Sequence, residues 1–330
     1  MRQVIRWAKI SGLAAILVAA AAACSSGSPS SGNSTASTTN ITNVTLGYVP
    51  YADDAALFYA QDSGIFRKHG LNVTFVAQAS PVVVEASMAS GTEQFGFITV
   101  PVLINLNSKG VPVKCVSSVD GNQPGDAAHD TTLLVAAKGS GITSVKDLAG
   151  KNVAEVQLTS LNSLAVEVLA KNAGIDPASI HQIAMPFPQM PAALAQGRVQ
   201  AAVIVAPFVA TALADGAIPL THPNVDLFPN GTVTCLDTLG SYASSHATVV
   251  ADFRAAMNEA IAYSQAHQSA AKATLAQHLN IPAAVAQKET LSTDWDTTLN
   301  PATITKIESY MKQFGLITSE PAASSMIWTP

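Results

Sequence analysis

The residues best suited to chemistry sit where strands are expected to end. Ligands of open α/β sheets bind beyond the carboxyl ends of strands, beside helix N-termini whose free N–H groups face outward. By that rule the loops to watch are residues 48–54, 79–81, 99–101, 158–162, 186–189 and 206–208, with 120–122 closing one wall. They carry Tyr51, Asp53, Asp54, Ser80, Thr99, Asn122, Ser160, Asn162, Gln189 and Phe208. These side chains can stack on a planar group, hydrogen-bond a polar one, or pair a carboxylate with an ammonium. They do not break bonds readily. The loops hold no His, Cys, Lys or Arg, and the chain has no G-x-S-x-G elbow and no zinc-ligand spacing. Asp53 or Asp54, and Thr159 or Ser160, also read as helix caps, which leaves other N–H groups free for a ligand.

Two stretches share one grammar. Residues 191–208 read as a helix, a stop at Gly197, a buried strand over 201–205 and Pro207. Residues 85–101 repeat it, with Gly91 standing to Pro101 as Gly197 stands to Pro207. Gly tolerates the left-handed conformation that ends a helix. Ala-Ala-Val-Ile-Val shows no polar alternation, as in a parallel strand covered on both faces. The repetition suggests two similar α/β halves, each offering a loop to one cleft.

Around these units, strands are expected over 43–50, 72–77, 94–99, 111–119, 131–137, 152–156, 179–185 and a long 232–242. Helices are expected between them, including one whose stripe is Leu161, Leu164, Ala165, Val168 and Leu169. Beyond residue 242 the chain reads as helix only, with Asn300-Pro301 as an N-cap and first-turn proline. The alternation of strand and helix points to mostly parallel sheets flanked by helices.

Composition narrows the class. Of 330 residues, 48% are hydrophobic and 12% charged, yet the one long apolar run is 10–23, short for a membrane span. Arg2, Arg6 and Lys9 before that run, and small residues leading into Cys24, make a secretory signal. The arrangement resembles a bacterial lipobox, with Ala at the third position before the cut where Leu is usual. It implies cleavage before Cys24 and lipid on its sulfur. Residues 25–43, rich in Ser, Thr, Gly and Asn, then serve as a flexible tether. The segment through Ala23 holds three of the 17 cations and no acid, so the remainder carries 14 cations against 22 acids, a charge of −8. That balance disfavours nucleic acid and anionic membrane as partners. Cys115 and Cys235 are left as a bridge or as two buried thiols; outside the cytoplasm a bridge is the expectation.

Residues 47–76, GYVPYADDAALFYAQDSGIFRKHGLNVTFV, resemble the opening of extracytoplasmic substrate-binding proteins of ABC importers, of the sulfonate, nitrate, taurine and thiamine-pyrimidine-precursor type. Residues 145–153 and 194–208 are similar to that family's second-lobe entry and its closing helix–strand–Pro-Phe unit. The resemblance spans about 43–268. It implies a two-lobed, type II periplasmic-binding-protein-like α/β fold with two hinge crossovers. Lobe I would comprise 44–120 and 235–330, lobe II 121–234, behind a 1–23 signal and a 24–43 tether. The returning strand would lie beside the fourth, bringing Cys235 against Cys115. The implied role is capture of a small organic solute, pyrimidine-like or a sulfonate or aminosulfonate, for delivery to a membrane permease. The protein would be a monomer, without cofactor or metal, anchored outside the cell membrane through Cys24. The rival is an enzyme on the same fold acting on a thiamine- or menaquinone-pathway precursor.

Overall fold

Two central strands carry the architecture, and both begin four positions after a glycine. Gly91 and Gly197 adopt φ of +76° and +67°, and β3 (Phe95–Thr99) and β8 (Ala201–Val205) follow them. The computed structural model describes residues 41–121, 123–229, 231, 233–292, 297 and 299–330. Within these, β3 and β8 each sit third in a five-stranded sheet.

The first sheet contains β1 (Thr42–Tyr48), β2 (Leu71–Ala77), β3, β4 (Val113–Ser117) and β10 (Thr234–Leu239), in the order β2-β1-β3-β10-β4. The second contains β5 (Thr132–Ala136), β6 (Asn152–Glu155), β7 (His181–Ala184), β8 and β9 (Ile218–Thr221), in the order β7-β6-β8-β5-β9. Each sheet is parallel apart from its fourth strand. β10 runs antiparallel to β3 and β4, and β5 antiparallel to β8 and β9. In both cases this is the first strand laid down after the chain arrives from the other sheet.

The repeat extends to register. Phe95 pairs with Leu46 and Ala201 with Val153; Thr99 pairs with Thr234 and Val205 with Thr132. The equivalence of 95–99 with 201–205 therefore holds on both neighbouring strands. Both strands are buried nearly throughout, as expected of runs without polar alternation.

Helices cover the sheets. Ala247–Ala266 and Gln268–His278 pack on Ala55–Asp62, and Phe253 stacks on Phe95 with ring centroids 4.0 Å apart. The final helix, Pro301–Gln313, is capped by the Asn300 side chain and buries Ile304, Ile307 and Met311. Apolar contacts run as one cluster through both sheets, with a smaller cluster on the second sheet between β5, β6, β8 and their covering segments.

Some elements depart from expectation. The strand placed over 232–242 ends at Leu239, and Gly240–Ser245 is helical. β1 already begins at Thr42, inside the stretch assigned to the tether. β9 and the helix Pro223–Leu227 were not foreseen; β9 is a four-residue edge strand containing Pro219, a pattern that weakens any strand signal. Cys115 on β4 and Cys235 on β10 are joined through sulfur, with Cα atoms 5.6 Å apart. Asn122 and Cys24 lie outside the described residues.

At Gly91 and Gly197 an added Cβ would meet no heavy atom within 4 Å, so only backbone conformation opposes a side chain. Gly91→Ala and Gly197→Ala should each cost about 1–2 kcal/mol in urea unfolding. Equal losses would show that the two copies of the unit bear the same conformational constraint.

Candidate functional site

Parallel strands deliver their carboxyl ends to one edge of a sheet, and an antiparallel neighbour delivers its amino end to the same edge. The cavity between the two sheets is built from both. Thr99 and Val205 end β3 and β8; Thr132 and Thr234 open β5 and β10. The loop after β1 adds Tyr51 and Asp53. The loop after β6 adds Val156 and Ser160, and the first turn of the helix Leu161–Asn172 adds Asn162. Phe187, Asn224 and Asp120 complete most of the wall. The volume open to water-sized centres is about 40 Å³, room for only a few waters.

The halves touch around this space. Ala52 N–H donates to the Ala206 carbonyl (2.9 Å), the Thr131 hydroxyl to Asp53 (3.1 Å), and the Gln157 amide to Glu85 (3.0 Å). Tyr51 is 8% exposed and lies between rings, its centroid 5.5 Å from Phe97 and 6.3 Å from Phe187, edge-on to the latter.

Three carboxylates shape the electrostatics. Asp120 accepts from the N–H groups of Val233 and Thr234 (3.3 and 3.2 Å), which fixes it where the chain re-enters the first sheet. Asp130, beside the cavity, accepts from the N–H groups of Thr132, Asn224 and Val225 at 2.9–3.1 Å. Burial still raises its pKa to about 6. Asp53 is pushed to about 8, first by desolvation and then by the charge of Asp120, against the pull of Thr131. Burial also raises Asp120 despite its backbone donors. Among the described residues no Lys, Arg, His or Cys lines the cavity. The Asn224 side-chain oxygen is buried and has no partner.

Of the residues singled out from sequence, Tyr51, Asp53, Thr99, Ser160 and Asn162 meet at this cavity. Ser160 combines two roles, since its hydroxyl oxygen also accepts from Ser163 N–H to cap the helix Leu161–Asn172. Asp54, Ser80, Gln189 and Phe208 do not line it. The Asp54 carboxylate turns back to accept from Tyr51 N–H (3.0 Å) and so holds the Tyr51 loop. Ser80 borders a separate, wider groove of about 570 Å³. Gln189 is exposed at the end of a 3-10 turn. Phe208 begins the helix Phe208–Ala214 and stacks behind Phe187 at 6.4 Å. Sequence reasoning named the loop 186–189 but took Gln189 from it rather than Phe187, and it missed Thr132, Thr234 and Asn224. The two threonines open antiparallel strands, so a rule about carboxyl ends passes over them. Asn224 belongs to the unforeseen helix.

A carboxyl whose pKa is raised by folding favours the native state in its protonated form. For Asp53 that contribution is complete below the ordinary carboxyl pKa of 3.8 and is lost as pH rises toward about 8. Unfolding free energy should therefore fall across that window, and Asp53→Asn should flatten the fall. Denaturant melts at several pH values check this; an unchanged slope in the variant would count against it.

Comparison with known proteins places these features among relatives. The family profile described as NMT1/THI5 like matches residues 52–271. A 4-amino-5-hydroxymethyl-2-methylpyrimidine phosphate synthase of Legionella pneumophila is 28% identical over 123 residues, which is 37% of this chain; the match spans 36% of that protein's length. Among solved structures, a zinc-bound ligand-binding component of an ABC-type import system from Staphylococcus aureus superposes with a TM-score of 0.74 at 18% identity, covering 87% of this chain and 96% of the other. The alkanesulfonate-binding protein SsuA of Xanthomonas axonopodis pv. citri, bound to MOPS, gives 0.72 at 20% identity, covering 87% and 98%. The periplasmic nitrate-binding protein NrtA of Synechocystis PCC 6803 gives 0.71 at 13%, covering 86% and 84%. These likenesses establish the periplasmic-binding-protein fold.

Proposed function

The chain belongs to the NMT1/THI5-like family, and on that premise we propose that it is the extracytoplasmic solute-binding component of an ABC importer. The observation that carries this reading is the small cavity where strand ends of both sheets converge, walled by aromatic, hydroxyl and carboxylate groups. The two sheets are the cores of two lobes, with lobe II spanning roughly 121–234. At about 40 Å³ the cavity as it stands is smaller than an organic solute; solute enters when the lobes part, and the lobes close around it by hinge motion with more space between them than here. The interlobe bonds from Ala52, Thr131 and Gln157 are the kind that form on closure. The closed form then docks on a membrane permease.

The wall selects by chemistry. Asp53 and Asp120 accept from donors, Thr99, Ser160 and Asn162 supply neutral polar contacts, and Tyr51 and Phe187 offer ring surface. With two buried carboxyl groups and, among the described residues, no cation at the cavity, an amine-bearing planar solute such as an aminopyrimidine is favoured over nitrate or a simple alkanesulfonate, since a donor-bearing guest stabilises the ionised carboxyls whose pKa burial raises, whereas an anion meets no countercharge. Lipid on Cys24 anchors the protein. The 18 residues from Cys24 to Ile41 would reach about 60 Å when extended.

The Legionella similarity favours one second reading, an enzyme acting on a pyrimidine precursor. Among the described residues, the titratable groups at the cavity are the Asp53 and Asp120 carboxyls and the Tyr51 phenol, and its chemistry would have to proceed with those.

A thermal-shift panel of aminopyrimidines, alkanesulfonates, aminosulfonates and nitrate tests the class. Aminopyrimidines should raise the melting temperature by mass action, and nitrate and alkanesulfonates should not. Tyr51→Ala should weaken the responding solute by roughly tenfold through lost ring contact, measured by calorimetry. Bound solute recovered unchanged at one per chain fits the importer component; conversion during incubation selects the enzyme.

A further inference from the structure

Asp237 is a buried acid that the solute cavity does not use. It lies on β10 two positions beyond Cys235, and its Cα partner across the ladder is Cys115 on β4, next to an irregularity between Leu236 and Asp237. All three residues are at most 2% exposed. The two sulfurs and a carboxylate oxygen of Asp237 lie within 4.8 Å of one another. Neither Asp237 oxygen has a hydrogen-bond partner. Three other buried acids differ: Asp54 accepts from Tyr51 N–H, Glu93 from the Gln78 amide and Glu155 from the Ser160 hydroxyl.

An unmet buried carboxyl is costly, and native structures rarely carry one without a reason. The disulfide sulfurs beside it are weak acceptors and cannot donate to it. Two thiols could donate, and two thiolates together with a carboxylate could bind a metal. We propose that the reduced Cys115–Cys235 pair and Asp237 form a site for a thiophilic divalent cation of the zinc type. Such a cation takes Cys sulfur and Asp oxygen as ligands, and three protein ligands leave a fourth position open. Calcium and magnesium require mostly oxygen and are disfavoured.

The chemistry balances. A dithiol reductant gives two electrons and two protons to the disulfide, producing two thiols, and is itself oxidised to a disulfide. The cation then displaces both thiol protons and the carboxyl proton, which pass to solvent. The location has a consequence for the fold. Cys115 precedes the chain's departure from the first sheet, and Cys235 follows its return. A bound cation would tie the same two strands that the disulfide ties. The proposal does not depend on what occupies the solute cavity.

Cobalt(II) serves as the probe. The folded chain is treated with a phosphine, desalted without oxygen and assayed after denaturation for two thiols per chain more than the untreated chain gives, since Cys24 lies outside the bridge. It should then bind one cobalt with a sulfur-to-cobalt charge-transfer band that zinc displaces. The oxidised chain and Cys235→Ser should show no such band. Asp237→Asn, checked for fold by circular dichroism, should bind at least roughly tenfold more weakly; Asp237→Ser is read the same way if the first variant does not fold. A reduced wild-type chain that holds no more cobalt than the oxidised one overturns the proposal. So does an affinity unmoved by removing the carboxylate.

Discussion

A chain that builds two sheets and returns to the first must cross between them twice, and the structure is organised by that constraint. Each arrival lays down one strand against the direction of its neighbours: β5 in the second sheet, β10 in the first. An antiparallel strand presents its first residues where parallel strands present their last. Thr132 and Thr234 therefore stand beside Val205 and Thr99 at the cavity. The crossings also bring Asp120 there and Asp130 nearby, each held by backbone N–H groups of a returning or neighbouring segment.

Those carboxylates give the cavity its character. Desolvation raises Asp53, Asp120 and Asp130, the charge of Asp120 adds to the rise at Asp53 and Asp130, and among the described residues no cation lines the space to offset this. On the proposed reading, a donor-bearing or positively charged guest supplies what this wall lacks. The aromatic side is equally specific. Phe208 does not reach the space, yet it stacks behind Phe187, whose ring faces Tyr51.

The second buried acidic feature obeys the same topology. β10 lies between β3 and β4, so one face of it puts Cys235 and Asp237 beside Cys115. Backbone N–H groups meet Asp120 at the cavity and Asp130 close by. Within the ladder the backbone groups are committed to strand pairing, and Asp237 has none to meet it.

Local pattern was enough for much of this. The glycine stops at Gly91 and Gly197, the unalternating runs of β3 and β8, a cap at Thr159 or Ser160 and the Asn300-Pro301 start depend on neighbouring residues alone, and each is found where its pattern puts it, the cap falling to Ser160. The doubled helix–strand unit was legible for the same reason, and with it Tyr51, Thr99, Ser160 and Asn162 as strand-end residues near the cavity. Tertiary structure decided the rest. Whether Asp53 or Asp54 faces the cavity turns on which one Tyr51 N–H claims, and Asp54 takes it. Phe187 displaces Phe208 from the wall because the helix Phe208–Ala214 carries the latter behind it. Thr132, Thr234 and Asn224 join the site only through strand direction and the packing of a short helix, neither of which is written in a run of neighbouring residues. Periodicity and caps are local and so belong to the sequence; which edge of a sheet a strand's first residue reaches is settled only when distant strands pair.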